Sequence, residues 1–157
     1  ESPKGYVLSE EEIAVTIGKV DEVVEIELVN YFIKGNIALT KVDEDYPDNK
    51  LSGAVFEVYS DTNGDGKLDK DDTLLGEMKE LDGGVYQMSE LRYGKYLVKE
   101  TKAPTGFVLD ENVYSVSVEE NGKTYTVENK AGVGFINAAQ KGSLKIVKTS
   151  SDGNAHG

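Results

Sequence analysis

Residues 28–43 read LVNYFIKGNIALTKVD, and residues 135–152 read FINAAQKGSLKIVKTSSD. The two align without a gap: Asn30 falls on Asn137, Lys34 on Lys141, Gly35 on Gly142 and Lys41 on Lys148, each at the same offset (148 − 41 = 107). A repeat of that size is about one domain long. The beginning of the chain repeats as well, SPKGYVL at 2–8 answering APTGFVL at 103–109 with a smaller offset (104 − 3 = 101), which implies a loop of different length between the two matches. The expectation is a tandem array in which only residues 34–141 form a whole domain. Residues 1–33 read as the C-terminal part of a preceding domain, and 142–157 as the first strand of a following one. The chain reads as an excerpt of something longer.

Within the quoted stretch, Ile37, Leu39 and Lys41 share one parity, and such alternation recurs along the chain in short runs separated by Gly, Asn, Asp or Pro. Period two, not 3.6, predicts an all-β fold. The expected strands are 36–42, 54–60, 73–79, 84–89, 95–100, 113–118, 124–128 and 133–137, a spacing that suits a β-sandwich. Asn121-Gly122 reads as a two-residue hairpin turn, because both positions tolerate positive φ. Asp82-Gly83-Gly84 reads as another turn.

Composition sets limits on partners. The 157 residues carry a formal net charge of −12, which repels nucleic acid and anionic membrane surfaces and favours cations. There is no cysteine, so whatever staples the fold is neither a disulfide nor a thiolate site. No apolar run reaches transmembrane length, and no signal peptide opens the chain.

Parity also places polar residues on apolar faces. Tyr96, Val98 and Glu100 point together while Lys95 and Lys99 point away, and Val133, Phe135 and Asn137 form another such row. The flanking segments repeat the pattern, with Asn30 following Val24, Ile26 and Leu28, and Lys148 following Leu144 and Ile146. A buried ammonium or carboxylate must be paired, neutralised or chemically consumed. Desolvation favours Lys41 as a free amine and Glu100 as a neutral acid. With Asn137 in reach, the amine can attack the carboxamide while Glu100 polarises its oxygen and relays protons; ammonia leaves and an amide remains. The alternative is a hydrogen-bonded polar cluster that does not react.

The segment YLVKETKAPTGFVLDE at 96–111 resembles the E-box of Cna B-type domains of Gram-positive surface proteins, and ALTKVDEDYPDNKLSGAVFEVY at 38–59 is similar to their lysine-bearing first strand and its continuation. The resemblance implies an immunoglobulin-like (prealbumin-like) sandwich. It also implies an isopeptide bond between Lys41 and Asn137, with Glu100 as its catalyst. Phe107 stands where a tyrosine is more usual. Asn30 and Lys148 would be the equivalent residues of the neighbouring domains. The location implied is extracellular, at the bacterial cell wall or surface.

DTNGDGKLDKDD at 61–72 has oxygen-bearing ligands at positions 1, 3, 5, 9 and 12 and Gly66 at position 6, as a calcium loop requires. The candidate Ca²⁺ ligands are Asp61, Asn63, Asp65, the Lys67 carbonyl, Asp69 and Asp72. No organic cofactor is expected. The only histidine, His156, lies in a Gly-rich terminal stretch, which argues against Ser-His or zinc hydrolysis. Glu10-Glu11-Glu12 and Glu119-Glu120 read as solvated segments, and the tyrosines as strand residues.

Two functions remain in contention. One is a stalk or pilin-like spacer, partnered by adjacent domains of its own chain, that crosslinks itself once and turns over no substrate. The other is an adhesin module that binds a host protein or glycan through its loops.

Overall fold

The computed structural model describes residues 2–149. Nine strands form two sheets: β1 (Lys34–Asp43), β2 (Val55–Ser60), β3 (Thr73–Glu77), β4 (Lys79–Glu80), β5 (Val85–Arg92), β6 (Gly94–Lys102), β7 (Val113–Val118), β8 (Thr124–Thr126) and β9 (Phe135–Asn137). The first sheet runs β4-β5-β1-β8, with β9 also pairing β1; the second runs β3-β2-β6-β7. All eight expected strands are present, and the all-β sandwich stands.

Two details depart from the expected pattern. The predicted strand 73–79 is broken at Met78, whose N–H donates to the Phe56 carbonyl at 2.8 Å and whose side chain is buried. There the chain leaves the second sheet as β3 and enters the first as β4, a one-residue corner. The Asn121-Gly122 turn exists, with Gly122 at φ 76°, but β7 and β8 lie in different sheets and do not pair as a hairpin. The turn is instead fastened to the start of β1: Lys34 N–H donates to Asn121 Oδ1 (3.1 Å), and Gly122 N–H donates to the Lys34 carbonyl (2.7 Å).

The core lies between the sheets. Ile37, Leu39, Phe56, Val58, Val98, Val118 and Phe135 are all at most 1% exposed. Phe135 meets Phe56 and Tyr114 edge-on at 4.9 and 5.2 Å between ring centroids, the arrangement the aromatic quadrupole favours. Leu97 is fully buried too, although parity puts it on the outer side of β6. Residues 61–72 lie against that outer side. Asp61 N–H donates to the Lys95 carbonyl (3.0 Å), Lys95 Nζ to the Gly64 carbonyl (3.1 Å), and Gly66 faces Ser115, the residue in register with Leu97.

The pairing of β1 with β9 is parallel, with Lys41 opposite Phe135 and Asp43 opposite Asn137. Gly134 permits it. Its φ is +133°, and a Cβ there would sit 2.8 Å from the Thr40 carbonyl oxygen. Gly134→Ala is therefore expected to cost about 1–3 kcal/mol, read as a lower urea midpoint at unchanged slope. A midpoint equal to the parent's would show that β9 does not need this close approach.

The N-terminal segment repeats a local motif of the central domain. Tyr6 bridges Phe32 as Phe107 bridges Ala139. Val7 N–H donates to Tyr31 O as Val108 N–H does to Ala138 O, and Ile33 N–H to Gly5 O as Gln140 N–H does to Gly106 O. Between these contacts, residues 8–30 form no strand, and Val24, Ile26 and Leu28 are exposed.

Candidate functional site

Lys41, Glu100 and Asn137 are 0, 0 and 3% exposed. They come from three strands: β1 and β9, which pair, and β6 of the facing sheet. Alternation on each strand turns the head group inward, and the sandwich brings all three into its interior. Lys41 Nζ donates to the Phe135 carbonyl at 2.9 Å and sits 5.6 Å from the centroid of the Phe135 ring. Asn137 Nδ2 donates to Glu100 Oε2 at 2.8 Å and to the Val108 carbonyl. Asp110 N–H donates to the same Oε2 at 2.8 Å.

The other oxygen of each head group, Glu100 Oε1 and Asn137 Oδ1, is buried without a partner. Leaving such atoms unsatisfied costs about 1–3 kcal/mol each. Desolvation, the largest influence on Glu100, raises its pKa and so favours the protonated carboxyl, which can donate where a carboxylate can only accept. Desolvation likewise lowers the Lys41 pKa to about 8, against the opposing pull of Glu100, Asp110 and Asp43. Among the described residues, the ion pairs are Lys34–Glu90, Lys70–Asp71, Lys123–Glu120 and Lys141–Asp45, all at exposed side chains; neither Lys41 nor Glu100 takes part. The site thus holds a desolvated lysine head group, a carboxyl group whose pKa burial raises, and a carboxamide hydrogen-bonded to that carboxyl.

The family model described as SpaA, prealbumin-like fold domain, matches residues 35–133. The chain belongs to this family. The SpaA-type assignment bears out the Cna B-type resemblance and the sandwich it implied. The Bacillus anthracis TIE protein superposes with a TM-score of 0.70 at 29% identity, over 88% of this chain and 24% of its own. BcpA, the major pilin subunit of Bacillus cereus, gives 0.51 at 26% identity over 69% of this chain and 31% of its own. GBS52, a minor pilin of Streptococcus agalactiae, gives 0.50 at 26% identity over 76% and 51%. The SpaA-type chain therefore spans from a quarter to half the length of these proteins. No curated protein matches it.

The loop at 61–72 folds into a closed series of turns. Asp61, 6% exposed, accepts from Gly64 N–H (2.8 Å) and Gly66 N–H (3.1 Å). Asn63 accepts from Asp65 N–H, and Asp65 from Lys67 N–H. Asn63 Nδ2 donates to Asp69 at 3.2 Å, and Asp72 reaches back to Thr62 N–H (3.1 Å) and Asp69 N–H (2.9 Å). These bonds hold the carboxylates of Asp61 and Asp72 on backbone N–H groups of the loop, and supply oxygens of the hard type that Ca²⁺ takes. Among the described residues, no three His, Cys, Asp or Glu side chains converge as a ready metal cluster.

Asn30 is exposed, as is Lys148, and neither meets a counterpart of the trio. His156 lies outside the described residues. Sequence reading missed three residues bordering the trio: Asp110, Tyr114 and Asn129. Asp110 and Asn129 lie outside the strands, where parity gives no signal, and Tyr114 read as an ordinary strand aromatic.

Proposed function

We propose that this SpaA-type domain is a structural stalk unit of a Gram-positive surface protein or pilus, locked by an isopeptide bond that its own residues form. The observation that carries the reading is the buried Lys41–Glu100–Asn137 cluster with its two orphaned oxygens. Neutral Lys41 Nζ attacks Asn137 Cγ while Glu100 Oε1–H supports the developing charge on Oδ1. The Nζ–Cγ bond forms and the Cγ–Nδ2 bond breaks. Glu100 passes a proton from Nζ to Nδ2, and Nδ2 departs as ammonia with its two original hydrogens and that one. Fixed packing supplies the rate, since effective molarities of about 10⁵–10⁸ M accompany well-oriented intramolecular reactions.

The intact mass tests the reading directly: the purified chain is expected to be lighter than its sequence by one ammonia, and a full-mass chain would sink the proposal. The reaction also has a pH signature. Its rate is expected to rise as Lys41 deprotonates through about pH 8 and to fall where Glu100 loses its proton.

The domain boundaries follow the repeat: 1–33 closes a preceding domain, 34–141 is whole, and 142–157 opens the next. The recurrence of the 107/139 contacts at 6/32 supports this division. Partners are then neighbouring domains of the same chain, the location is extracellular, and the domain turns over no substrate. BcpA and GBS52, both pilins, support the stalk reading.

Ca²⁺ in the 61–72 loop would be held by Asp61, Asn63, Asp65, the Lys67 carbonyl, Asp69 and Asp72. Saturating calcium at about 100 times its Kd is expected to stabilise the domain by about 2.7 kcal/mol. A melting temperature indifferent to chelator and to added calcium would count against this site.

A further inference from the structure

Beside the trio lies a second, partly buried polar network that the crosslinking chemistry does not itself consume. Asp110, in the loop after β6, accepts from Tyr114 OH (2.6 Å) and from Asn129 Nδ2 (2.8 Å) through Oδ2, and from Asn112 through Oδ1. Asn129 grips the peptide groups of Ile136 from both sides: Nδ2 donates to the Ile136 carbonyl at 2.9 Å, and Oδ1 accepts its N–H at 2.6 Å. Ile136 is the residue before Asn137. The backbone N–H of Asp110 meanwhile donates to Glu100 Oε2, the same oxygen that accepts from Asn137 Nδ2.

We propose that Asp110 is a positioning residue for the crosslink, fixing Asn137 through Asn129 and fixing Glu100 through its own N–H and charge. The inference rests on the isopeptide reading above. Its first effect is geometric. A three-residue strand has few ladder bonds, and the Asn129 clamp holds β9 by its middle residue, so that Asn137 meets Glu100 in one orientation. Its second effect is to choose an oxygen. With two N–H donors on Oε2, the proton of Glu100 belongs on Oε1, the atom free to serve Oδ1. Its third effect is electrostatic. The hydrogen bonds from Tyr114, Asn129 and Asn112 outweigh desolvation and lower the Asp110 pKa, so a fixed anion faces the site. That anion raises the proton affinity of both Glu100 and Lys41; Asp43 on β1 acts on Lys41 in the same sense.

The charged and the mechanical effects separate experimentally. The full chain is recovered unfolded in urea from inclusion bodies and refolded by dilution at a series of pH values, and loss of ammonia is followed by intact mass. Asp110→Asn is expected to slow bond formation at least tenfold and to move the pH optimum downward, because the proton affinities of Lys41 and Glu100 fall together. Asn129→Ala is expected to slow it comparably with the optimum unmoved. Tyr114→Phe, which withdraws one donor from Asp110 and keeps its charge, reports in place of Asp110→Asn should the latter fail to refold; a slowing with unmoved optimum is expected. Parental rate and optimum in the folded variants would overturn the proposal while leaving the crosslink intact. A parent chain that never loses ammonia would overturn both.

Discussion

Lys41→Ala is expected to retain the full mass of its sequence and to lower the unfolding midpoint by roughly 20 to 35 °C. The bond would close a loop of 137 − 41 = 96 residues. By the chain-entropy argument for disulfides, a loop of that size contributes about 4–5 kcal/mol. For a domain of about 100 residues, each kcal/mol moves the midpoint by roughly 4–8 °C. Part of the loss in Lys41→Ala comes from the cavity left by a fully buried side chain, so Lys41→Met, close in volume, is the sharper comparison. It removes the nucleophile but keeps the packing. If Lys41→Met melts within a few degrees of the parent, the bond is not what holds the fold, whatever the mass shows.

Phe135→Ala is expected to cost about 3–5 kcal/mol in urea unfolding. The ring is fully buried between Phe56 and Tyr114, and its residue pairs with Lys41 across the β1–β9 ladder. Its loss opens a cavity beside the amine as well as in the core. Measuring the change in a Lys41→Met background isolates packing from crosslinking. A loss below about 1 kcal/mol there would mean that β9 contributes little to the core. In the otherwise unaltered chain, the same substitution is expected to slow ammonia loss, because it loosens the strand that presents both the Lys41 acceptor and Asn137.

The elements that were legible in the sequence were those governed by local periodicity. Ile37, Leu39 and Lys41, then Tyr96, Val98 and Glu100, point inward because a strand gives them no other choice, and so the trio could be named before its surroundings were known. What periodicity could not show was decided by partners remote in sequence. Met78 sits in a run that alternates properly, yet the chain changes sheets there. Asn121-Gly122 has the chemistry of a hairpin turn, but the strands around it pair with β6 and β1 and not with each other. Leu97 belongs to the outward parity of β6 and is buried because residues 61–72 fold back over that face. Asp110 and Asn129 lie in loops, whose side chains follow no period. Their roles rest on contacts spanning 10 and 7 residues, to Glu100 and Ile136.

The parallel pairing of β1 with β9 has a mechanical consequence for a stalk. Tension applied to such a domain pulls β1 toward its N-terminal end at Lys34 and β9 toward its C-terminal end at Asn137. Two parallel strands drawn apart in those directions slide along each other, so every ladder bond is loaded together in shear. With Lys41 joined to Asn137, the load crosses after the first eight residues of β1 (41 − 34 + 1 = 8) and bypasses the sandwich. The 95 residues between the joined side chains (136 − 42 + 1 = 95) would span roughly 300 Å if drawn out. With the proposed bond in place, that slack would be withheld. A domain built this way is a link of fixed length, whose extension under load is limited to its ends and to the joints with its neighbours.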